Sequence, residues 1–227
     1  MPLIIGLTGS IASGKGAVSE ILTGFGAIHG DADKIVHALY EPGKPAYYRI
    51  IEAFGNDIIQ SDEFIDRKKL GGKVFGKPEA MKLLTSSIGN ISEAIHDTIL
   101  NWRNTLPENG IGVLEAVNLI EAGYSQWTDV TWLVGCDEKI ALPRLMKRNN
   151  FSEEEAMQRI ASQKSWQERE PASDLLIMNN ESITKLTNKV TEEFNSLYDR
   201  YQNNKLEPSR YIEWQKNNLD FYKIKTG

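Results

Sequence analysis

Short apolar runs and helically spaced apolar positions alternate along the first part of the chain. Residues 3–7 form a continuous apolar run that ends near glycine, which predicts a buried strand. A helix is predicted soon afterwards, because apolar residues recur at helical spacing at Val18, Ile21, Leu22 and Phe25. A second strand is predicted over residues 27–30. This order of strand, helix and strand favours a parallel sheet with helices packed on it.

Residues 36–104 carry a different pattern with few strand signals. A turn over residues 41–45 is followed by apolar positions typical of a short helix, at Tyr47, Tyr48, Ile50, Ile51 and Phe54. Helical spacing continues between residues 81 and 102, at Leu84, Ile88, Ile91, Ile95 and Ile99. We therefore predict a helical insertion over residues 36–104.

The sheet pattern returns in the second half of the chain. Strands are predicted over residues 111–116, 130–135 and 175–178, and a long amphipathic helix from Ile183 to Tyr201. A capping box at Ser152 and Glu155 opens another helix, after one that Pro143 interrupts or bends. The predicted class is α/β, a parallel sheet flanked by helices, with a helical insertion.

The predicted helical insertion over residues 36–104 divides the predicted sheet region into residues 1–35 and 105–205. Residues 206–227 form a polar C-terminal tail without a clear period.

Composition and charge limit the range of functions. The chain has 227 residues, of which 41% are hydrophobic and 25% charged, as in ordinary soluble globular proteins. Its net charge of −5 argues against a nucleic-acid-binding surface. The single cysteine, Cys136, excludes a disulfide framework, and no apolar stretch is long enough to span a membrane. We expect a cytoplasmic protein that acts on small molecules, as a monomer or a weak homo-oligomer.

The strongest chemical signal is Gly9-x-x-x-x-Gly14-Lys15, placed between the first predicted strand and the first predicted helix. Such a loop turns backbone N–H groups toward phosphates, and the helix N-terminus and the lysine add positive charge. The predicted nucleotide-binding residues are Gly9, Ser10, Ile11, Ala12, Ser13, Gly14, Lys15, Gly16 and Ala17.

Gly16 departs from the pattern, which has a Ser or Thr whose hydroxyl ligates Mg²⁺ at this position. Because Mg²⁺ keeps several waters, a water can fill that position. Two interpretations remain open, a kinase of reduced activity and a phosphate binder without catalysis. The sequence does not identify the metal ligands.

Asp31 and Asp33 follow the second predicted strand, where α/β sheets bind ligands. Either carboxylate can take the proton of an attacking hydroxyl, or else cap the helix that begins near Lys34. Arg144, Arg148 and Arg159, together with Lys147, form a basic cluster. It either stabilises phosphoryl transfer or is an ordinary solvated helix surface.

Taken together, the motifs resemble those of the dephospho-CoA kinase family, over residues 3–203. The matching segments are Gly-Leu-Thr-Gly at 6–9, Asp-Ala-Asp at 31–33, Glu-Pro-Gly-Lys-Pro-Ala at 41–46, the acidic stretch 115–121, the arginine and Ser-x-Glu-Glu-Ala segments within 144–163, and Asn-Asn at 179–180. At residues 16 and 17 the family has Ser and Thr, where this chain has Gly16 and Ala17. At residues 10 and 12 the family has glycines, where this chain has Ser10 and Ala12.

The resemblance implies a P-loop NTPase-type kinase with three parts: a nucleotide-binding core at residues 1–35 and 105–205, a helical substrate-binding (CoA-binding) insertion at residues 36–104, and a lid at residues 140–170 within the core. Such a kinase uses ATP and Mg²⁺ to phosphorylate the ribose 3′-hydroxyl of dephospho-CoA. The resemblance also implies that Asp31 is the base, that Lys15 and the loop hold ATP together with Asn179, and that Arg144 and Arg148 neutralise the transferring charge. Glu115 would orient Mg²⁺ through water. The alternatives are another small-molecule or nucleoside monophosphate kinase, and a catalytically weak nucleotide- or CoA-binding regulatory homologue.

Overall fold

Five strands build the sheet of this computed structural model, which describes residues 1–218. The strands are β1 (Leu3–Gly9), β2 (Ile28–Asp31), β3 (Ile111–Glu115), β4 (Val130–Gly135) and β5 (Leu175–Met178), in the order β2-β3-β1-β4-β5. β1 runs parallel to β3 on one side and to β4 on the other, and β4 runs parallel to β5. Each predicted strand is present, and the α/β prediction is confirmed.

Helices account for most of the remaining described chain. They are α1 (Lys15–Gly24), α2 (Ala32–Leu39), α3 (Pro45–Phe54), α4 (Arg67–Val74), α5 (Pro78–Ile88), α6 (Ile91–Thr105), α7 (Glu138–Asn149), α8 (Glu153–Ala161), α9 (Trp166–Arg169), α10 (Ile183–Gln202) and α11 (Arg210–Asn217). Short 3₁₀ turns lie at Asn56–Ile58, Tyr124–Trp127 and Glu170–Ala172.

The chain divides into two compact units. The first consists of Met1–Gly30 together with the chain from Ile99 onward. Its core is built where β1, β3, β4 and β5 meet α1 and α10; the fully buried members include Ile5, Leu7, Val18, Leu22, Val113, Val134, Ile177 and Val190. The second unit, Asp31–Thr98, has its own core on α3, α4 and α5, which includes Ile50, Ile58, Leu70, Val74 and Ile88.

The helical spacing between residues 81 and 102 belongs to two helices rather than one. α5 ends at Ile88 and α6 begins at Ile91. Gly89 between them has φ 101°, a left-handed conformation that glycine adopts without a β-carbon clash. Helix α4 was not predicted, because Gly71 and Gly72 in its middle are poor helix formers.

The tail over residues 206–227 carries an element that its pattern did not predict. Helix α11 is capped by Ser209, whose hydroxyl accepts a hydrogen bond from the Tyr211 amide, and the Tyr211 ring is fully buried. Asp174 anchors the start of this helix by accepting hydrogen bonds from Ser209 Oγ at 2.7 Å and the Arg210 amide at 2.6 Å. Residues 219–227 of the predicted tail lie outside the described residues.

Among residues 1–218, no helix combines the length and the apolar character that a membrane crossing requires.

Candidate active site

The loop between β1 and α1 folds tightly, and two of its glycines leave no room for a side chain. A β-carbon on Gly9 would lie 2.5 Å from the carbonyl oxygen of Val134, and one on Gly14 would lie 2.1 Å from Asn179 Nδ2. Gly14 also has φ 99°, which favours glycine. Val134 of β4 and Asn179, which follows β5, therefore require glycine at these two positions of the loop.

Lys15 begins α1 and points its side chain back along the loop. Its ammonium donates to the carbonyl oxygens of Gly9 at 3.0 Å and Ser10 at 3.3 Å, and the residue is buried. The N-terminus of α1 is the positive end of the helix dipole, so it and the ammonium form a positive cradle for an anion. The arrangement is suited to a nucleotide phosphate group.

A buried hydroxyl in the same loop fits this interpretation. Ser13 Oγ is buried and has no hydrogen-bond partner among the described residues. Because an unsatisfied buried hydroxyl is costly, a bound polar ligand that pairs with it would be favoured. Ala12, next to it, adopts φ 60°, a conformation that residues other than glycine rarely adopt.

Asn179 and Arg144 meet at the carboxyl end of β5. Asn179 Nδ2 donates to the Ser13 carbonyl oxygen at 2.9 Å, and the Asn179 carbonyl accepts from Arg144 Nη1 at 3.0 Å. The structure thus brings two predicted site residues to the loop. Arg148 is exposed, and its Nε donates to the neighbouring Asn149 Oδ1 at 2.9 Å. Its catalytic role stays a prediction.

Residues that follow α8 also hold the loop. Gln163 Oε1 accepts from the Ile11 amide at 2.8 Å, and the Lys164 carbonyl accepts from Ser10 Oγ at 3.1 Å. Arg169, 3% exposed, donates through Nε to Glu121 Oε1 at 2.7 Å. Its Nη1 lies 3.4 Å from Ser10 Oγ.

No role was predicted for Gln163, Glu121 or Arg169. Gln163 and Glu121 stand in motif segments, but nothing in the sequence pairs either of them with the loop. Burial of Arg169 was not predictable, since arginine is rarely buried unless it is paired.

A cavity of ≈ 520 Å³ opens beside the loop within the first unit. Ser10, Ile11 and Ser13 line one part of it, and Cys136 and Trp166 are among the residues of the remaining wall. Burial raises the pKa of the Cys136 thiol, although the guanidinium of Arg144 opposes the shift. The thiol is therefore neutral near pH 7, which argues against a nucleophilic cysteine.

Glu115, at the end of β3, lies beside the first turns of α1. Its Oε2 accepts from Ser19 Oγ at 2.8 Å and lies 3.1 Å from His29 Nε2. Residue 16 carries no hydroxyl, and a β-carbon there would meet nothing within 4 Å. The residues present fit a Mg²⁺ ion held largely through water, with one carboxylate and open space at Gly16. Among residues 1–218, no group of three or more His, Cys, Asp or Glu side chains could hold a metal ion directly.

Asp31 is the last residue of β2 and caps α2. Its Oδ1 accepts from the amides of Asp33 at 2.9 Å and Lys34 at 3.4 Å. The capping alternative is therefore observed, and the role of Asp31 as a base stays a prediction. Asp33 lies in the first turn of α2.

Comparison with known proteins identifies relatives that are named dephospho-CoA kinase. The family model described as dephospho-CoA kinase matches residues 3–185. A dephospho-CoA kinase of Oceanobacillus iheyensis is 42% identical over 192 residues, which cover 82% of this chain and 94% of the relative. One from Streptococcus pyogenes serotype M3 is 38% identical over 196 residues, 86% of this chain and 98% of the relative.

Solved structures of similar fold include the protein TT1252 from Thermus thermophilus. It is 25% identical with a TM-score of 0.69, over 86% of this chain and 98% of that one. The dephospho-CoA kinase from Campylobacter jejuni is 24% identical with a TM-score of 0.57, over 85% and 96%, and shows that the fold is shared.

Proposed function

The chain belongs to the dephospho-CoA kinase family, and from this premise we propose that it transfers the terminal phosphoryl group of ATP to the ribose 3′-hydroxyl of dephospho-CoA, giving coenzyme A and ADP. The observation that carries the proposal is the loop itself. Its glycines are fixed by Val134 and Asn179, and it presents the Lys15 ammonium and the α1 amides to one anion site.

The reaction needs an activated hydroxyl and a stabilised phosphoryl group. The Asp31 carboxylate takes the proton of the ribose hydroxyl, whose oxygen then forms a bond to the γ-phosphorus as the bond to ADP breaks. Lys15 and the loop amides bind the β- and γ-phosphate oxygens and balance the charge that develops on them. Arg144 and Arg148 add positive charge from the lid, residues 140–170.

A bound Mg²⁺ ion would neutralise phosphate charge and orient the oxygens of ATP. Glu115 would hold it through water, and the open space beside Gly16 would accommodate a further water in place of the hydroxyl. Gly16 is the feature that favours the alternative of a nucleotide or CoA binder with little activity.

We assign ATP to residues 1–35 and 105–205 and the acceptor to residues 36–104. We place the reaction in the cytoplasm, catalysed by a monomer or a weak homo-oligomer on small molecules. Light scattering after size-exclusion chromatography measures the oligomeric state.

The decisive experiment measures Mg²⁺-dependent ADP release with dephospho-CoA, and separately with AMP, CMP and GMP. Turnover with dephospho-CoA, together with a product phosphorylated at the ribose 3′ position by mass spectrometry and ³¹P NMR, supports the proposal. Turnover only with a nucleoside monophosphate would identify a different acceptor. ATP binding without turnover on any acceptor would identify a nucleotide-binding homologue.

A matched pair of lysine variants ties the activity to the loop. Lys15→Gln should lower kcat/KM by about 100-fold, because a preorganised charge on the transferring group is lost. Lys205→Gln is the control, since this lysine follows α10, is exposed, and donates only its backbone amide, to the Arg200 carbonyl oxygen, within the described chain.

A further inference from the structure

The first two turns of α1 contain a hydroxyl that the phosphate-loop pattern does not require. Ser19 lies one turn after Gly16, on the same face of the helix, and is 3% exposed. Its Oγ lies 3.1 Å from the carbonyl oxygen of Gly16 and 3.1 Å from that of Lys15. The hydroxyl missing at residue 16 is thus present one turn further along the helix.

The Ser19 hydroxyl has one proton to donate and three acceptors within reach. Glu115 Oε2 is both the nearest, at 2.8 Å, and the only charged acceptor of the three. Since hydrogen bonds to ionised groups are shorter and stronger than neutral ones, the proton goes to Glu115. Ser19 therefore fixes the carboxylate from the helix side.

His29 contacts the same carboxylate oxygen of Glu115. His29 Nε2 lies 3.1 Å from Glu115 Oε2, and the two side chains are 28% and 17% exposed. Within the described chain, no hydrogen bond reaches the second carboxylate oxygen, Oε1. Glu115 is therefore oriented through one oxygen and retains the other for a ligand.

Phosphate-loop proteins hold Mg²⁺ with two groups, the loop Ser or Thr and a carboxylate that follows a neighbouring strand. Glu115 ends β3, which pairs with β1 directly before the loop. A glutamate side chain is one methylene longer than that of an aspartate, so its carboxylate extends further from the strand. In this chain the Glu115 carboxylate accepts a hydrogen bond from Ser19 Oγ, at 2.8 Å.

We propose that Ser19 is a positioning residue that fixes Glu115 for the Mg²⁺ ion of bound ATP, and that the Ser19–Glu115 pair takes the place of the hydroxyl missing at Gly16. Ser19 acts through Glu115 and does not itself contact the metal. The inference rests on the proposed function, because the metal arrives with ATP.

Calorimetric titration of ATP, in excess Mg²⁺ and in EDTA, tests the inference without any turnover. The measured quantity is the gain in ATP affinity that Mg²⁺ supplies. Ser19→Ala and Glu115→Asp should each reduce this gain by about tenfold, the usual effect of losing a group that orients a metal ligand. Affinity in EDTA should stay within about twofold of the wild type, because Lys15 and the loop amides are unchanged.

Thr23→Ala is the matched control on the same helix. The Thr23 hydroxyl donates to the Ser19 carbonyl oxygen at 2.8 Å, and Thr23 is exposed. Its loss should leave the Mg²⁺ gain unchanged. Thermal unfolding of each variant shows that it is folded, and Glu115→Asp supplies a test that leaves Ser19 itself intact.

A rescue variant separates this role from general packing. Gly16→Ser restores a loop hydroxyl where nothing lies within 4 Å of the added β-carbon. Combined with Glu115→Asp, it should recover the wild-type Mg²⁺ gain, since a shorter carboxylate needs a nearer hydroxyl.

The outcomes are distinct. A full Mg²⁺ gain in Ser19→Ala overturns the inference, and so does a loss in Glu115→Asp that Gly16→Ser does not recover. A wild-type protein that phosphorylates no acceptor, but whose Mg²⁺ gain falls in Ser19→Ala, leaves the inference standing and overturns the proposed function instead.

Discussion

The side-chain amide of Asn179 occupies the place where a β-carbon on residue 14 would stand. Its Nδ2 would lie 2.1 Å from that β-carbon, and it donates to the Ser13 carbonyl oxygen at 2.9 Å. Asn179 follows β5 directly, and its own amide donates to the Gly135 carbonyl oxygen at 2.8 Å. The end of the sheet therefore sets the conformation of the phosphate loop.

Two neighbouring glycines should respond to alanine in opposite ways. Gly14→Ala places a methyl group against Asn179 at φ 99°, so we expect a loss of about 1–3 kcal/mol of stability and weaker ATP binding. Gly16→Ala adds a methyl group in open space on a helix and should stabilise by about 0.5–1 kcal/mol. Urea unfolding and ATP titration measure both effects. Equal effects would contradict the role of Asn179.

Ala12 carries conformational strain that glycine would relieve. Its φ of 60° costs an L-residue about 1–2 kcal/mol, while glycine adds roughly 0.4–1 kcal/mol of entropy to the unfolded state. We expect Ala12→Gly to raise the free energy of unfolding by about 0.5 kcal/mol. The control, Ala17→Gly in the first turn of α1, should lower it. A loss of stability in Ala12→Gly would mean that the surrounding loop favours the strained alanine.

The buried pair of Arg169 and Glu121 should be needed as a pair. Arg169→Met removes the guanidinium that contacts the Glu121 carboxylate, which is 12% exposed, and should cost about 3–5 kcal/mol. Arg169→Met/Glu121→Leu removes both charges and should recover most of that loss. The free energies of unfolding of the two variants decide the matter. A double variant no more stable than the single one would show that packing, and not charge, is lost.

The fold could be predicted largely from the sequence because its signals are local. β1 and β4 consist mainly of buried apolar residues, and α10 has a clear helical period, so each local pattern predicts its element. Helix α4 was not predicted, because its two glycines and its lysines mask the helical spacing of the buried residues Leu70 and Val74. Helix α11 is held by Asp174, a contact between distant parts of the chain.

The candidate site was likewise predictable where its signals are local, and not where they depend on contacts between distant residues. The phosphate loop is a contiguous motif, and its glycines and lysine could be assigned directly. Ser19 and Arg169 act through partners about 50 to 100 residues away along the chain, Glu115 at 2.8 Å and Glu121 at 2.7 Å. The strand order brings Glu115 to the loop and α1, since β3 lies beside β1 and pairs residue by residue with it.

His37 predicts a pH dependence for the second unit. Burial, and then the positive charge of Arg67, lower the pKa of His37, while Asp33 and Asp31 oppose the shift. The unfolded chain, with a pKa of about 6.5, then binds a proton before the folded chain does. The free energy of unfolding should therefore fall as the pH drops below that value.

His37→Gln should remove that part of the loss. Urea unfolding between pH 7.5 and 5.5 supplies the measurement. An unchanged pH slope in His37→Gln would show that other groups carry the dependence.

Asp31 caps α2 through Oδ1, so a variant must separate capping from catalysis. An asparagine at this position would cap the helix about as well as aspartate, but its amide cannot accept the proton of an attacking hydroxyl. We therefore expect Asp31→Asn to keep the thermal stability and the ATP affinity, and to lower kcat with dephospho-CoA by about 100-fold or more. Asp33→Asn, in the first turn of the same helix, is the matched control and should lower kcat much less. If Asp31→Asn retains kcat, the carboxylate is a cap alone, and the proton of the ribose hydroxyl is taken by another group.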